Sequence, residues 1–166
     1  RAPLAAILGD PEVRRFYQSI ATPAEVSAQI DHGLTVTRAG GFHFVATELK
    51  SIGRLVGVSG LGIIPEAIRA AIPGNPEVEI GSQLDKAVWG LGLAPEGATA
   101  WLHYGFETLG LGEIVAFTAA INLPSQRVMQ KLGMTHDPAD DFDHPRVAPG
   151  DRLRPHVLYR MARPQA

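Results

Sequence analysis

The sequence predicts a single α/β domain, and three observations carry that prediction. Segments with helical spacing of apolar residues alternate with strand-like segments along the 166 residues, and no linker interrupts them. Hydrophobic residues make up 45% of the chain, enough for a substantial buried core at this length. A glycine-spaced turn stands between a strand-like and a helix-like segment. We therefore expect one domain over residues 1–166.

The composition argues against several classes of function. The net charge is −2 and no Lys/Arg cluster stands out, so nucleic acid is not the expected partner. No apolar run approaches the roughly 20 residues of a transmembrane helix and no signal-peptide pattern is present, so we expect a cytoplasmic protein without a membrane partner. The chain has no cysteine, which removes thiolate nucleophiles and Cys metal sites. His144 and His156 match no metal-site spacing, so no metal is expected.

The N-terminal half predicts two helices followed by three strands. Thr22 is a favourable N-cap with Pro23 behind it, and Gly40 ends the helix that they begin. The two helices are predicted at residues 4–8 and 22–39. A hairpin with strands at 42–49 and 54–64, a loop with one helical turn at 65–76 and a further strand at 77–84 follow.

The C-terminal half predicts a helix, a buried strand, a short helix, a loop and a last strand. The first helix has one apolar face and one polar face. The apolar face consists of Ala98, Trp101, Leu102, Gly105, Phe106 and Leu109, and the polar face of Glu96, Thr99, His103 and Glu107. The strand at 113–118 is apolar throughout, as expected of a strand covered on both faces. Gly133 ends the second helix, and residues 137–154 and 156–161 form the loop and the last strand.

The glycine-spaced turn is the strongest functional signal. Glycines let the backbone approach a ligand closely, and the helix behind the turn directs unpaired N–H groups and its dipole to the same place. This arrangement suits a pyrophosphate. The residues concerned are Trp89, Gly90, Leu91, Gly92, Leu93 and Ala94.

These motifs together resemble the GNAT superfamily of acyl-CoA-dependent N-acetyltransferases, and specifically its Rim branch of ribosomal-protein N-terminal acetyltransferases. The family pattern Arg/Gln-x-x-Gly-x-Gly/Ala corresponds to residues 89–94, and Asn-x-Pro-Ser-x-x-Val-Met-x-Lys-Leu-Gly-Met to residues 122–134. Segments 142–145 and 156–160 also look like this branch. Trp89 departs from the pattern, which puts side-chain help to the pyrophosphate in doubt and leaves the backbone pattern intact.

The resemblance implies a fold and a reaction. The fold is a mixed, mostly antiparallel central sheet flanked by helices and splayed between the family's fourth and fifth strands, here residues 77–84 and 113–118. The family's first strand should precede the first helix, so we expect the chain to lack it. The reaction moves an acetyl group from acetyl-CoA directly to a primary amine, either a protein N-terminus or a small molecule. A homodimer is compatible with this assignment.

The resemblance also implies a binding site for the cosubstrate. The end of the fourth strand offers backbone groups to pantetheine and the acyl carbonyl, and in this sequence those belong to Gln83, Leu84 and Asp85. The glycine-spaced turn would hold the pyrophosphate. Asn122 would bond the pantetheine arm, although it is also a good cap for the short helix, with Pro124 in the first turn.

Two residues are candidates for proton transfer. Ser125 would donate to the sulfur, because Met129 stands where many relatives use a Tyr as the acid; a helix-start hydroxyl is the alternative for Ser125. Glu79 would direct or deprotonate the amine, and strand alternation places it on one face with Gln83. A structural ion pair is the alternative for Glu79.

Two other functions stay open from the sequence. One is an acyl-CoA-binding module with little catalysis, which Trp89 and the weak proton-transfer set keep possible. The other is an unrelated nucleotide-binding α/β domain, which the absence of a Walker motif and of Gly-x-Gly-x-x-Gly disfavours.

Overall fold

The structure, a computed structural model, describes residues 1–164. Its α-helices are α1 Ala2–Leu8, α2 Pro23–Arg38, α3 Glu66–Arg69, α4 Leu93–His103 and α5 Leu123–Lys131. Its strands are β1 Val45–Leu49, β2 Arg54–Ile63, β3 Val78–Leu84, β4 Glu113–Ala119, β5 Thr135–His136, β6 Phe142–Asp143 and β7 Pro155–Ala162. Short 3-10 turns span Lys86–Val88 and Pro138–Asp140, and a π-helical turn, Tyr104–Thr108, extends α4. None of the helices within residues 1–164 is long and apolar enough to cross a membrane.

The strands form one sheet in the order β1-β2-β3-β4-β7-β5, with β6 also paired to β7. Adjacent strands are antiparallel except for β3 and β4, which are parallel. β3 pairs with β2 from Val78 to Leu84, but it pairs with β4 only where Glu79 lies opposite Val115. The two central strands therefore separate beyond that point, which leaves one edge of β3 without a strand partner. This confirms the expected mixed, mostly antiparallel sheet and its splay.

Helix α4 packs against one face of the sheet by its predicted apolar side. Ala98, Leu102 and Phe106 are buried in the same cluster as Ile80 of β3 and Ile114 of β4. The predicted polar side of this helix is exposed, including Glu96 and Glu107. Strand β4 is covered on both faces, as predicted, since Val115 packs into a second cluster with α3 while Ala116 packs with α4.

The two N-terminal helices lie against β2. Helix α2 begins with a capping box, because the Thr22 hydroxyl accepts from the Glu25 N–H at 3.3 Å while the Glu25 carboxylate accepts from the Thr22 N–H at 2.7 Å. Val26 of α2 and Leu8 of α1 are buried together with Ala21 from the connecting segment. Within the described chain no strand precedes α1, so β1 forms one edge of the sheet.

The structure corrects the predicted elements in three places. β1 begins at Val45 instead of residue 42, because the chain first crosses the sheet and lays the Phe44 ring over Gly62 and Gly81. A Cβ on Gly62 would lie 2.7 Å from that ring, so the crossing depends on the missing side chain. Residues 137–154, predicted as a loop, contain a 3-10 turn and β6. Strand β5 was not predicted, since two residues are too few to show a period of two.

Candidate active site

A cavity of about 750 Å³ occupies the gap where β3 and β4 separate. Its walls are the end of β3, the turn before α4, the first turns of α4 and α5, and the α1–α2 connecting segment. Most of the residues proposed from the sequence line it: Glu79, Gln83, Leu84, Trp89, Gly90, Gly92, Leu93, Ala94, Asn122 and Ser125. Leu91 and Asp85 are the two proposed residues that do not contribute to the lining.

The glycine-spaced turn exposes a run of free backbone amides to this cavity. Gly90 and Gly92 have φ angles of +78° and +81°, which favour glycine, and a Cβ on either would have no heavy atom within 4 Å. Within residues 1–164, the backbone amides of residues 90–94 donate no hydrogen bond to a protein acceptor, and Gly92 caps α4 without a side-chain bond. Such consecutive N–H groups at a helix start form a concave site for an anion. The site therefore fits a diphosphate by its own backbone.

The end of β3 is partly committed to other contacts. The Leu84 carbonyl accepts from the Trp89 indole N–H at 2.9 Å, and the Asp85 amide donates to the Val56 carbonyl at 2.8 Å. The Asp85 carboxylate accepts from the Ala87 amide at 2.9 Å and pairs with Arg54. Asp85 therefore caps a 3-10 turn, and its amide is already used, whereas Gln83 and Leu84 lie on the stretch that β4 leaves unpaired.

Asn122 and Ser125 occupy the start of α5 at the opposite wall. The Asn122 side-chain oxygen, Oδ1, accepts from the Ser125 amide at 3.3 Å, and the side-chain Nδ2 donates to the Thr118 hydroxyl at 2.8 Å. Asn122 thus caps the helix, and one of its amide hydrogens is left for a ligand. The Ser125 hydroxyl lines the cavity and makes no hydrogen bond within residues 1–164. Met129, one turn further along α5, is buried in the same wall.

Glu79 is a desolvated carboxyl group on the cavity wall. Burial raises the pKa of Glu79 to about 7, since a charged carboxylate loses hydration there. Within the described residues its carboxyl group takes part in no ion pair. Its face of β3 is the one that also carries Gly81 under the Phe44 ring and Gln83, whose side-chain oxygen accepts from Arg14 at 2.9 Å. A carboxyl group with this pKa is suited to accept a proton near neutral pH.

Several lining residues were missed by the sequence analysis. The connecting segment between α1 and α2 brings Arg15, Phe16 and Tyr17 to the cavity, and no local pattern in residues 10–20 predicts this. Arg127 and Lys131 of α5 also line it. Their spacing of four puts both on one face of a helix, so this signal was present in the sequence. The loops predicted at 65–76 and 137–154 contribute no lining residue.

The charges of the lining are unevenly distributed. Arg15 lies beside the glycine-spaced turn, and Arg127 and Lys131 lie on α5, whereas Glu79 is the one carboxylate among the described lining residues. Within residues 1–164 the three cationic side chains form no ion pair with a carboxylate. The lining therefore offers positive charge near the turn and on α5, and one ionisable carboxyl group on β3.

The histidine-rich part of the chain lies outside the cavity. The rings of His144 and His156 are 4.8 Å apart, and burial lowers the pKa of both, that of His144 to about 4. Within residues 1–164 no group of three or more His, Cys, Asp or Glu residues is arranged to hold a metal ion.

The family of this chain follows from a comparison with models of known protein families. The model of the acetyltransferase (GNAT) domain matches residues 1–135, so the chain belongs to the GNAT acetyltransferase family. Members of this family are acyl-CoA-dependent and use acetyl-CoA as the cosubstrate. One curated relative, the FsC-acetyl coenzyme A-N(2)-transacetylase of Aspergillus fumigatus, is 34% identical over 99 residues, which are 55% of this chain and 42% of that protein. The chain therefore matches less than half the length of this relative.

Solved structures of the family share the fold. An acetyltransferase of the GNAT family from Bacillus anthracis superimposes with a TM-score of 0.76 at 21% identity, over 98% of this chain and 88% of that one. The ribosomal-protein-S5-alanine acetyltransferase from Vibrio fischeri gives a TM-score of 0.69 at 14% identity, over 98% and 88%. At these identities the likeness is one of fold.

Proposed function

We propose, from this family membership and the lining of the cavity, that the protein transfers an acetyl group from acetyl-CoA to a primary amine. The acceptor is either a protein N-terminus, as in the Rim branch that the motifs of the sequence resemble, or a small-molecule amine. The Aspergillus relative is named for transfer to an N(2) position, and the Vibrio structure for transfer to a ribosomal-protein alanine. Both names support an amine acceptor.

One observation carries the proposal. The free amides of residues 90–94 open on the same cavity as the Ser125 hydroxyl and the Glu79 carboxyl group. A diphosphate on the amides would direct the attached pantetheine arm along the unpaired edge of β3, past Gln83 and Leu84. The arm would then end near Glu79. This placement brings the reacting group of one substrate to the single carboxyl group of the lining.

The proposed chemistry needs few protein groups. Acetyl-CoA supplies the activated acetyl thioester when bound. The unpaired N–H groups of β3 would bind pantetheine and orient the acyl carbonyl. Asn122 would donate the second hydrogen of its side-chain amide to the pantetheine arm. Glu79 accepts the proton of the attacking amine, directly or through a water molecule, since its pKa of about 7 keeps part of it ionised at neutral pH. The Ser125 hydroxyl donates toward the leaving sulfur.

Two measurements on the wild-type chain test the proposal. Calorimetry with CoA and acetyl-CoA measures binding, and release of free thiol is followed with a panel of peptides that have free N-termini, polyamines and aminoglycosides. We expect binding of CoA and turnover with at least one class of primary amine, with acetylation proved by a mass shift of 42 Da, about the mass of an added acetyl group. A chain that binds no CoA would contradict the proposal.

A second function has support from two residues. Met129 lines the wall where many family members present a Tyr, and Trp89 replaces the Arg or Gln of the pattern. Both changes suit an acyl-CoA-binding module that catalyses little. Tight binding of acetyl-CoA without turnover on any amine of the panel would favour this module over the transferase.

A further inference from the structure

Arg15 is a cation held in a fixed orientation at the wall of the cavity. Its guanidinium carbon lies 4.6 Å from the centre of the Trp89 ring and 4.7 Å from the centre of the Phe16 ring. Its Nη1 donates to the Glu12 carbonyl at 2.7 Å. Two aromatic faces and one hydrogen bond fix the guanidinium plane and leave its other N–H groups for a ligand.

The neighbouring charges leave Arg15 available for an anion. Lys86, another cation of this region, pairs with Asp10 at 2.9 Å and with Glu12 at 2.6 Å. Glu12 is thereby committed to Lys86 and gives Arg15 only its backbone carbonyl. Among the described residues no carboxylate forms an ion pair with Arg15.

Trp89 connects this cation to the glycine-spaced turn. The indole N–H is fixed on the Leu84 carbonyl at 2.9 Å, so the ring stands beside the turn that begins at Gly90. The family pattern has Arg or Gln at the position of Trp89. Trp89 itself carries no charge. The guanidinium of Arg15, from a segment more than seventy residues earlier in the sequence, stacks on its ring.

We propose that Arg15, oriented by Trp89, binds the pyrophosphate of CoA and replaces the side chain that the turn lacks. The inference rests on the proposed function, because it concerns the cosubstrate of that function. A planar guanidinium donates two parallel hydrogen bonds to phosphate oxygens, and stacking on aromatic rings reduces the entropy lost when it binds. The Phe16 ring also lies against the same guanidinium group. Trp89 is thus a positioning residue and Arg15 a binding residue.

The pyrophosphate is the expected partner among the phosphates of CoA. Trp89 directly precedes the amides of residues 90–94, and Arg15 stacks on Trp89. The remaining cations of the lining, Arg127 and Lys131, belong to α5 on a different wall. Removal of the 3′-phosphate should therefore leave the contribution of Arg15 unchanged.

The experiment compares binding of three ligands by calorimetry at low and moderate salt. The ligands are CoA, 3′-dephospho-CoA and pantetheine, which has no phosphate. The variants are Arg15→Gln, Arg15→Lys, Trp89→Phe and the double variant Arg15→Gln with Trp89→Arg. Arg38→Gln is the matched control, since Arg38 is exposed on α2 outside the cavity and its loss changes the net charge equally.

We expect Arg15→Gln to raise the Kd of CoA and of dephospho-CoA about tenfold, and to leave that of pantetheine unchanged. The rise in Kd for Arg15→Lys should be about half of that for Arg15→Gln on a logarithmic scale, because lysine keeps the positive charge and lacks the planar group that stacks on the rings. In the double variant, Trp89→Arg should restore the affinity for CoA that Arg15→Gln loses. The loss should shrink at higher salt, as expected of an ion pair near solvent.

Three results would overturn the proposal. The first is a Kd for CoA that is the same in Arg15→Gln and Arg38→Gln. The second is a loss seen with CoA and absent with dephospho-CoA, which would assign Arg15 to the 3′-phosphate. The third is an effect confined to the Michaelis constant of the amine when the same variants are compared in the thiol-release assay, which would assign Arg15 to the acceptor. In all three the wild-type chain still binds CoA, so each is distinct from the two results that count against the proposed function, which are no binding of CoA and binding without turnover on any amine.

Discussion

The two walls of the cavity were built from different kinds of sequence. The wall that would hold the cosubstrate comes mainly from one continuous stretch, the turn at 89–94 with α4 and then α5, with Arg15 added from the α1–α2 segment and Gln83 and Leu84 from β3. The wall around Glu79 is gathered from distant positions, with Tyr17 on the α1–α2 segment and Phe44 before β1. The difference shows that a backbone motif is visible locally, while a pocket for a second substrate depends on which segments fold over the sheet.

The two walls should also respond differently to substitution. The cosubstrate wall uses backbone amides, so changes in shape or charge at the turn, or loss of the Arg15 cation beside it, should affect it most. The Glu79 wall uses one side chain, so a single substitution that keeps its size should remove its chemistry. The four predictions below test this contrast, beginning with the largest expected effect.

Glu79→Gln should lower turnover by about 100-fold to 1,000-fold at pH 7, in line with the loss of a general base. The pKa of Glu79 is about 7, so the wild-type rate should rise with pH up to that value and then level off. The variant depends on amine that has already lost its proton, so its deficit should shrink as pH rises above 7. A pH–rate profile with wild-type shape and height would remove Glu79 from the mechanism and leave bulk water as the proton acceptor.

Glu79→Gln should also stabilise the fold at high pH, by up to about 3 kcal/mol. Burial raises the pKa of Glu79 from 4.5 to about 7, so between these values the unfolded chain has released a proton that the folded chain still binds. Ionisation therefore favours the unfolded state, and wild-type stability falls from pH 4.5 to pH 7 and then stays lower. Urea unfolding at pH 4 and pH 8 should show equal stability for the two proteins at pH 4 and a gain for the variant at pH 8.

Gly92→Asp should weaken binding of CoA by about tenfold or more, because it adds bulk and negative charge beside the expected phosphate. Gly110→Asp is the matched control: its φ is +68°, its Cβ also has open space, and it lies outside the cavity lining. Both variants should lose about 1–2 kcal/mol from the left-handed backbone. Calorimetry that gives both variants the same affinity would contradict the assignment of the turn.

Asn122→Ala and Ser125→Ala should separate binding from turnover on the α5 wall, with effects of about fivefold or less. Asn122→Ala should raise the Michaelis constant for acetyl-CoA and lower stability by about 1 kcal/mol, since it also removes the cap on the Ser125 amide. Ser125→Ala should mainly lower turnover. Equal small losses of thermal stability without any kinetic change would support a purely structural role for both residues.

The sequence by itself determined the order of the longer helices and strands, and it located the turn that the proposed cosubstrate would contact. The apolar spacing from Ala98 to Leu109 predicted the buried face of α4, and the capping signals at Thr22 and Asn122 marked two helix starts correctly. The turn at Gly90 and Gly92 was visible because its φ angles favour glycine, and the groups that it exposes are backbone amides. Such features depend on residues adjacent in the chain, so local patterns are sufficient to find them.

Tertiary structure alone decided how the second wall is made. The α1–α2 segment is held over β3 by contacts between distant residues, Arg14 with Gln83 and Lys86 with Asp10, and these bring Arg15 to Trp89 and Tyr17 to the cavity. The raised pKa of Glu79 likewise depends on what covers it, which strand alternation cannot reveal. Sequence patterns record how a segment folds, whereas desolvation and cation stacking arise only when separate segments pack together.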